Sequence, residues 1–189
     1  MQNDKSTKDV ILDVAENLIL RHGYTNFSYD DIAKIVKIRK ASIHYHYPKK
    51  EDLGLAFIDR IMNKIREYGM TQERSAAKEK IESVFEMFMK LSDGNKRICP
   101  FDVMSAEYEN LPKKLQKKVV LFFSSFDEYI VGIIRSGIGE GLFKKDIDPL
   151  RVSKLIINSL SYSLKLARIY NDSSQITMIC EEIRDILYK

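Results

Sequence analysis

The residues of this sequence with the clearest chemistry lie in one basic window, residues 34–50. The window holds six Lys or Arg residues and two histidines, and it contains no Asp or Glu. Beyond it the charges nearly balance, since residues 51–189 carry 22 basic and 21 acidic side chains. A short cationic stretch with aromatic residues beside its cations is typical of a surface that binds a polyanion. Charge alone also allows a solvated positive face.

Helical winding of residues 39–47 would give this window two different faces. At about 100° per residue, Ile43 and Tyr47 share one face and can dock on a neighbouring helix. The opposite face presents the small residue Ala41 together with His44 and Tyr45, which can form hydrogen bonds. Lys40 and Ser42, which are also polar, lie at its edges. The small residue would let the backbone approach base edges in a major groove about 12 Å wide.

The polar side chains of this face match the two kinds of contact that DNA offers. Lys40 can donate to guanine acceptors, and Ser42 can bond either member of a base pair. Tyr45 and His46 suit phosphate oxygens, and Lys50 adds its charge at the start of the next helix. The full set that we predict to bind DNA is Ser28, Arg39, Lys40, Ala41, Ser42, His44, Tyr45, His46 and Lys50.

Two short helices and a tight turn are expected to position these side chains. Ser28, followed three residues later by Asp31, forms a capping box that opens the first helix. The second helix runs from about Arg39 to the stop at Pro48. A short helix, a tight turn and a short helix with a polar face together predict a helix-turn-helix.

The rest of the chain shows helical periodicity almost from end to end, without a hairpin signal, a repeat or a low-complexity linker. We predict an all-α fold of nine helices, and one of the breaks between them lies at residues 93–95. The natural division lies near residues 48–52. It separates a helix-turn-helix domain of residues 1–50 from a larger helical domain of residues 51–189.

Composition and motifs exclude several classes of protein. The longest purely apolar run, residues 119–123, is far shorter than the roughly 20 residues of a membrane-spanning helix. The polar residues 1–9 lack the apolar core of a secretory signal. Two distant cysteines and three histidines form no familiar metal site, and no catalytic motif is visible. We therefore expect a cytoplasmic protein that is not an enzyme, with no cofactor, no metal and no membrane partner.

A resemblance to a known family is carried by residues 28–53, which read SYDDIAKIVKIRKASIHYHYPKKEDL. This run resembles the DNA-binding signature of the TetR/AcrR family of bacterial transcriptional repressors. The resemblance implies a homodimer with an N-terminal three-helix DNA-binding domain and a C-terminal domain for ligand binding and dimerisation. Carried over by position, the resemblance assigns contacts with bases to Lys40, Ala41 and His44. It assigns contacts with phosphates to Tyr45, His46 and Lys50.

One position departs from the family pattern, because the turn residue that is commonly glycine is Lys37 in this sequence. If the turn requires a positive φ, a lysine there costs on the order of 1 kcal/mol. Otherwise the turn takes another shape.

The aromatic and methionine side chains of the larger domain have two interpretations. They can be ordinary core, or some can line the effector pocket that the resemblance implies. The residues that we assign to ligand binding are Met62, Phe88, Cys99, Met104, Phe122, Phe126 and Tyr162. Cys99, directly before Pro100, is either a thiolate favoured by a helix dipole or a buried structural cysteine.

The sequence thus predicts a ligand-responsive transcriptional repressor. It would bind a palindromic operator in double-stranded DNA as a homodimer, and a small-molecule effector would release it. The alternative is a helical interaction module whose basic N-terminal patch docks an acidic partner or a membrane. The two differ in sequence preference, because a basic patch alone shows only the salt-dependent background of DNA binding.

Overall fold

The structure, a computed structural model, describes residues 5–71, 75–92 and 99–189, and most of these residues are helical. Within these ranges nine α-helices and one short 3₁₀ helix follow one another. They are α1 Thr7–His22, α2 Tyr29–Val36, α3 Lys40–His46, α4 Lys50–Thr71, α5 Ala77–Ser92, α6 Pro100–Ala106, the 3₁₀ helix Tyr108–Asn110, α7 Lys113–Gly139, α8 Pro149–Tyr170 and α9 Ser174–Leu187. The described ranges contain no β-strand, so the predicted all-α fold is confirmed. The break predicted at residues 93–95 lies outside them.

Two compact units make up the described chain. The first comprises the described residues up to Lys64 together with Pro100–Leu121. The second comprises the described residues of Ile65–Cys99 and Phe122–Lys189. The basic window of residues 34–50 lies wholly in the first unit. The assignment of separate functions to residues 1–50 and 51–189 stays a prediction.

The core of the first unit is built around α1, which contacts α2, α3 and α6. Ile11 and Ile19 of α1 are 0% exposed, and so are Ile32 of α2 and Ile43 of α3. Three short helices therefore share one apolar core, and burial of these side chains fixes the orientation of α3.

An ion-pair network joins α4 to α1 in the first unit. Arg60 of α4 lies 2.5 Å from a carboxylate oxygen of Asp13 and 3.5 Å from one of Glu16. Lys64 pairs with the other oxygen of Glu16 at 2.8 Å. Because Arg60 and Glu16 are mostly buried, salt screens these pairs less than it screens surface pairs. The network holds the first half of α4 against α1, the helix that also contacts α2 and α3.

The second unit packs α5, α8 and α9 together. The Arg184 guanidinium of α9 donates two hydrogen bonds to Glu82 of α5, at 2.8 and 2.6 Å, and Tyr188 Oη donates a third at 3.2 Å. The bonds from Arg184 hold the pKa of Glu82 below its ordinary value. This bidentate contact sets the register of α9 against α5.

Candidate nucleic-acid interface

The first helix of the helix-turn-helix begins with the capping box predicted at Ser28 and Asp31. The hydroxyl and the backbone amide of Ser28 both donate to Asp31 Oδ2, at 2.8 Å each. These bonds lower the pKa of Asp31, the hydroxyl bond having the larger effect. α2 therefore begins at Tyr29, and its first turn carries the acidic residues that a helix dipole favours there.

The turn between α2 and α3 has a left-handed backbone at Lys37. Its φ is 60° and its ψ is 43°. The Ile38 amide donates to the Ala33 carbonyl at 3.2 Å and closes the turn. Of the two shapes that the sequence left open, the structure has the positive φ. Lys37 thus occupies a conformation that favours glycine.

The inner face of α3 is buried against the rest of the first unit. Ile43 is 0% exposed and Tyr47, at the end of the helix, is 3% exposed. The Tyr29 hydroxyl donates to the Tyr47 carbonyl at 2.7 Å and holds the end of α3 against α2. The prediction that Ile43 and Tyr47 form the docking face is confirmed.

The outer face of α3 is polar and open to solvent. Tyr45 is 83% exposed, and its ring meets the His46 ring in a T-shaped contact at 5.1 Å. The His44 ring makes a similar contact with Tyr29 at 4.8 Å. The exposed residues of this face are Arg39, Lys40, Ala41, His44 and Tyr45. Ser42 and His46, at its edge, are of intermediate burial. The face predicted to read DNA is accessible, and which of these residues touch DNA stays a prediction.

Lys40, the first residue of α3, is paired with Asp30 of α2. The Lys40 Nζ and Asp30 Oδ2 atoms are 2.7 Å apart, and about half of each side chain is exposed. Since the basic window contains no acidic residue, the fold alone brings this carboxylate to the outer face.

Lys50, predicted to contact phosphate, points in this structure to the loop before α2. Its ammonium donates to the carbonyls of Phe27 and Thr25, the second at 3.3 Å. It also lies 4.2 Å from the centroid of the Phe27 ring and 5.0 Å from that of Tyr24. Burial lowers the pKa of Lys50. A phosphate contact by Lys50 stays a prediction, and it requires the ammonium to exchange these carbonyls for a phosphate oxygen.

Glu107, which follows α6, belongs to the same region, although the sequence does not predict it there. Its Oε2 accepts a hydrogen bond from the Thr25 amide at 2.8 Å. Gly23 has a φ of +95°, which favours glycine, and a Cβ placed there would lie 2.0 Å from Glu107 Oε1 and would push that side chain aside. The bonded residues are 82 positions apart, and no spacing in the sequence signals their meeting. Glu107 and Lys50 together hold the loop that leads into α2.

The seven residues predicted to bind a ligand are divided between the two compact units. The first unit holds Met62 and Met104, and the second holds the other five: Phe88, Cys99, Phe122, Phe126 and Tyr162. Five of the seven are buried, whereas Met62 is of intermediate burial and Tyr162 is 59% exposed on α8. Cys99 is 2% exposed, which favours the structural of its two interpretations. Ligand binding by this set stays a prediction.

Within the residues that the structure describes, no group of three His, Cys, Asp or Glu side chains is placed to hold a metal ion. No helix of that part of the chain is both long and apolar enough to cross a membrane.

Comparisons with known proteins match both parts of the chain to transcriptional regulators. Residues 11–57 match a family model described as bacterial regulatory proteins, tetR family. Residues 77–183 match a model described as tetracyclin repressor-like, C-terminal domain. The first match contains the whole helix-turn-helix, including the turn at Lys37.

Two curated relatives match different lengths of the chain. The biofilm operon icaADBC HTH-type negative transcriptional regulator IcaR of Staphylococcus epidermidis is 41% identical over 56 residues. That match covers 30% of this chain and only 30% of the relative's own length. The fatty acid metabolism regulator protein of Bacillus subtilis is 23% identical over 158 residues, which cover 79% of this chain and 77% of that protein.

Solved structures match the chain over nearly its whole length. A TetR transcriptional regulator from Legionella pneumophila is 32% identical with a TM-score of 0.88, covering 98% of this chain and 100% of that one. A TetR-family regulator from Agrobacterium tumefaciens, 24% identical, has the same fold with a TM-score of 0.86 and covers 96% of this chain and 97% of that one.

Proposed function

The chain belongs to the TetR family of bacterial regulatory proteins, and we propose that it is a repressor that binds a palindromic operator as a homodimer and leaves it on binding a small-molecule effector. The observation that carries the proposal is the helix-turn-helix, in which α3 buries its apolar face and exposes its polar one. We assign DNA binding to residues 1–50 and effector binding and dimerisation to residues 51–189. A protein that acts on an operator works beside the chromosome, so we also propose a cytoplasmic location.

The alternative of a helical module that docks an acidic partner or a membrane is set aside. Regulator models match both the basic window and the helical body that follows it. The family therefore makes the chain a DNA-binding transcriptional regulator and not an enzyme.

The dimensions and exposure of α3 support insertion into the major groove. A helix with its side chains is about 10–12 Å across, and the groove is about 12 Å wide. Lys40, Ala41 and His44 would then face base edges. Tyr45 and His46 would lie nearer the phosphates, because they extend from the later part of the helix.

The outward face of α8 supports a homodimer. Leu155, Tyr162 and Ile169 recur every seven residues, and they are 46%, 59% and 71% exposed. Met178 of α9 is 53% exposed. Large apolar side chains in a row on a helix surface indicate a partner. The same face of a second copy would cover them in an isologous four-helix bundle.

The buried aromatic residues of the second unit support an effector with an apolar portion. Phe88, Phe122 and Phe126 are at most 2% exposed. Small-molecule sites are lined mainly by apolar and aromatic side chains. An effector held there would act on DNA binding through a two-state dimer, because the two sites lie in different parts of the chain.

Selection of bound duplexes from a random pool tests operator binding. We expect a palindrome with half-sites spaced by whole turns of about 10–10.5 base pairs. Lys40→Ala should relax the preference at one position in each half-site and weaken binding by roughly 1–3 kcal/mol. Lys90→Ala, which removes a charge paired with Glu86 on α5, is the control and should leave the selection unchanged. A pool without enrichment would contradict operator binding.

Sedimentation at micromolar concentration tests the homodimer. We expect twice the chain mass of 22.0 kDa. Leu155→Glu should give the monomer, since it places a charge in the α8 row. Leu121→Glu on α7 is the matched control, because Leu121 is 57% exposed and lies outside that row. A wild-type species of monomer mass would refute the dimer.

A further inference from the structure

The pair of Lys40 and Asp30 places a negative charge beside the face that is proposed to read DNA. Lys40 Nζ and Asp30 Oδ2 are 2.7 Å apart, and the two side chains are 49% and 57% exposed. Two other acidic residues of the first unit serve helix caps, since Asp31 accepts from Ser28 and Asp52 accepts from the Lys49 amide. The Asp30 side chain caps no helix. Among the described residues, its side-chain hydrogen bond is the one that it accepts from Lys40.

An exposed pair of this kind is weak, so Lys40 can leave Asp30 at little cost. The partner that replaces the carboxylate decides whether this exchange is favourable. The O6 and N7 acceptors of guanine offer a lysine two directed bonds at one place in the groove. A single phosphate offers a charge comparable to that of Asp30 and gains little from the exchange. Lys40 therefore leaves Asp30 for a guanine base, which binds it more strongly than Asp30 does, but not for a phosphate.

We propose that Asp30 is a specificity-determining residue that holds Lys40 away from phosphates and releases it to an acceptor base of the operator. The inference rests on the operator binding proposed above. On random DNA the pair stays closed, and Lys40 displaces no counterion. On the operator it opens, and the freed Asp30 carboxylate remains at the edge of the interface. Proteins commonly gain specificity from interactions that disfavour binding of the wrong ligand, which here is non-operator DNA.

Asp30→Asn tests this role with a nearly isosteric change at an exposed position. Binding to the selected operator and to a random duplex is measured by anisotropy at several salt concentrations. Affinity for random DNA should rise about 1.4- to 5-fold per subunit, and its salt slope should steepen by about one per subunit because one more lysine meets a phosphate. The operator should gain less, so the ratio of the two affinities falls.

Two controls isolate the pair. Glu86→Gln makes the same change in net charge at an exposed pair with Lys90 in the second unit, and it should leave both affinities unchanged. In the Lys40→Ala background, Asp30→Asn should no longer steepen the salt slope on random DNA. Thermal unfolding of each variant shows that it is folded, and Asp30→Ser provides a second variant that removes the charge.

The outcomes separate this inference from the proposed function. A wild type with equal affinity for all duplexes would overturn operator binding itself. A selective wild type whose affinity ratio and salt slope survive Asp30→Asn would overturn the role of Asp30 alone. A slope that steepens in the Lys40→Ala background as well would show general repulsion of DNA by Asp30, and it would equally overturn the exchange.

Discussion

Replacing Lys37 by glycine should stabilise the protein, because the left-handed turn between α2 and α3 is built on a residue with a Cβ atom. A left-handed backbone costs an ordinary residue roughly 1–2 kcal/mol. Glycine removes that cost. It also adds conformational freedom to the unfolded chain, which lowers the free energy of unfolding by roughly 0.4–1 kcal/mol. Since the Lys37 side chain is exposed, its removal sacrifices little packing. The net gain in the free energy of unfolding then lies between about 0 and 1.6 kcal/mol, with a central value of about 0.8 kcal/mol.

Thermal unfolding followed by circular dichroism measures the change. For a chain of this length, the central gain of about 0.8 kcal/mol raises the Tm by about 2–3 °C. Lys37→Ala is the first control, because it removes the charge and keeps the Cβ, and it should leave the Tm nearly unchanged. Asn171→Gly is the second. Asn171 ends α8 with a φ of 53° and the same closing bond, from the Asp172 amide to the Ala167 carbonyl at 3.0 Å.

Asparagine tolerates the left-handed region better than lysine, because its short polar side chain can bond the local backbone. Asn171→Gly should therefore raise the Tm by less than Lys37→Gly does. The reasoning is refuted if Lys37→Gly stabilises no more than Lys37→Ala. Equal gains from the lysine and asparagine sites would refute the ranking of the two residues.

The remaining predictions concern the second unit. Because the hydrogen bonds from Arg184 depress the pKa of Glu82, the pair stabilises the fold above the ordinary glutamate value of 4.5, and this stability is lost as the pH falls through the depressed value. The destabilisation caused by Glu82→Gln, measured by urea unfolding, should thus be largest near neutral pH and shrink below about pH 4.5; a pH-independent difference would contradict it. Gly137→Ala should cost roughly 1–3 kcal/mol, because the new Cβ would lie 2.2 Å from the ring of Phe143, which is fully buried. Gly132→Ala, with nothing within 4 Å of its Cβ, should instead stabilise α7 by up to about 1 kcal/mol, and similar effects at both glycines would show that the packing argument fails.

Local signals in the sequence determined the helix-turn-helix and the two faces of its second helix. The capping box at Ser28 and Asp31 acts over three residues, and the buried pair Ile43 and Tyr47 is set by the pitch of one helix. Such relations depend on covalent spacing and on the geometry of a single helix, so they can be predicted without any long-range contact. The resemblance carried by residues 28–53 rests on the same short spacings, which is why the family was recognised from them.

Contacts across the chain were decided only by the tertiary structure. The sequence marked Lys37 as unusual, but the packing of α2 and α3 on α1 set the sign of its φ. It predicted DNA contacts for Lys40 and Lys50 but gave no partner for either within the chain, whereas the fold pairs Lys40 with Asp30 and turns Lys50 to the Thr25 and Phe27 carbonyls. The bond from Thr25 to Glu107 joins residues 82 positions apart. A side chain's partner depends on which helices pack together, and helical periodicity carries no information about that choice.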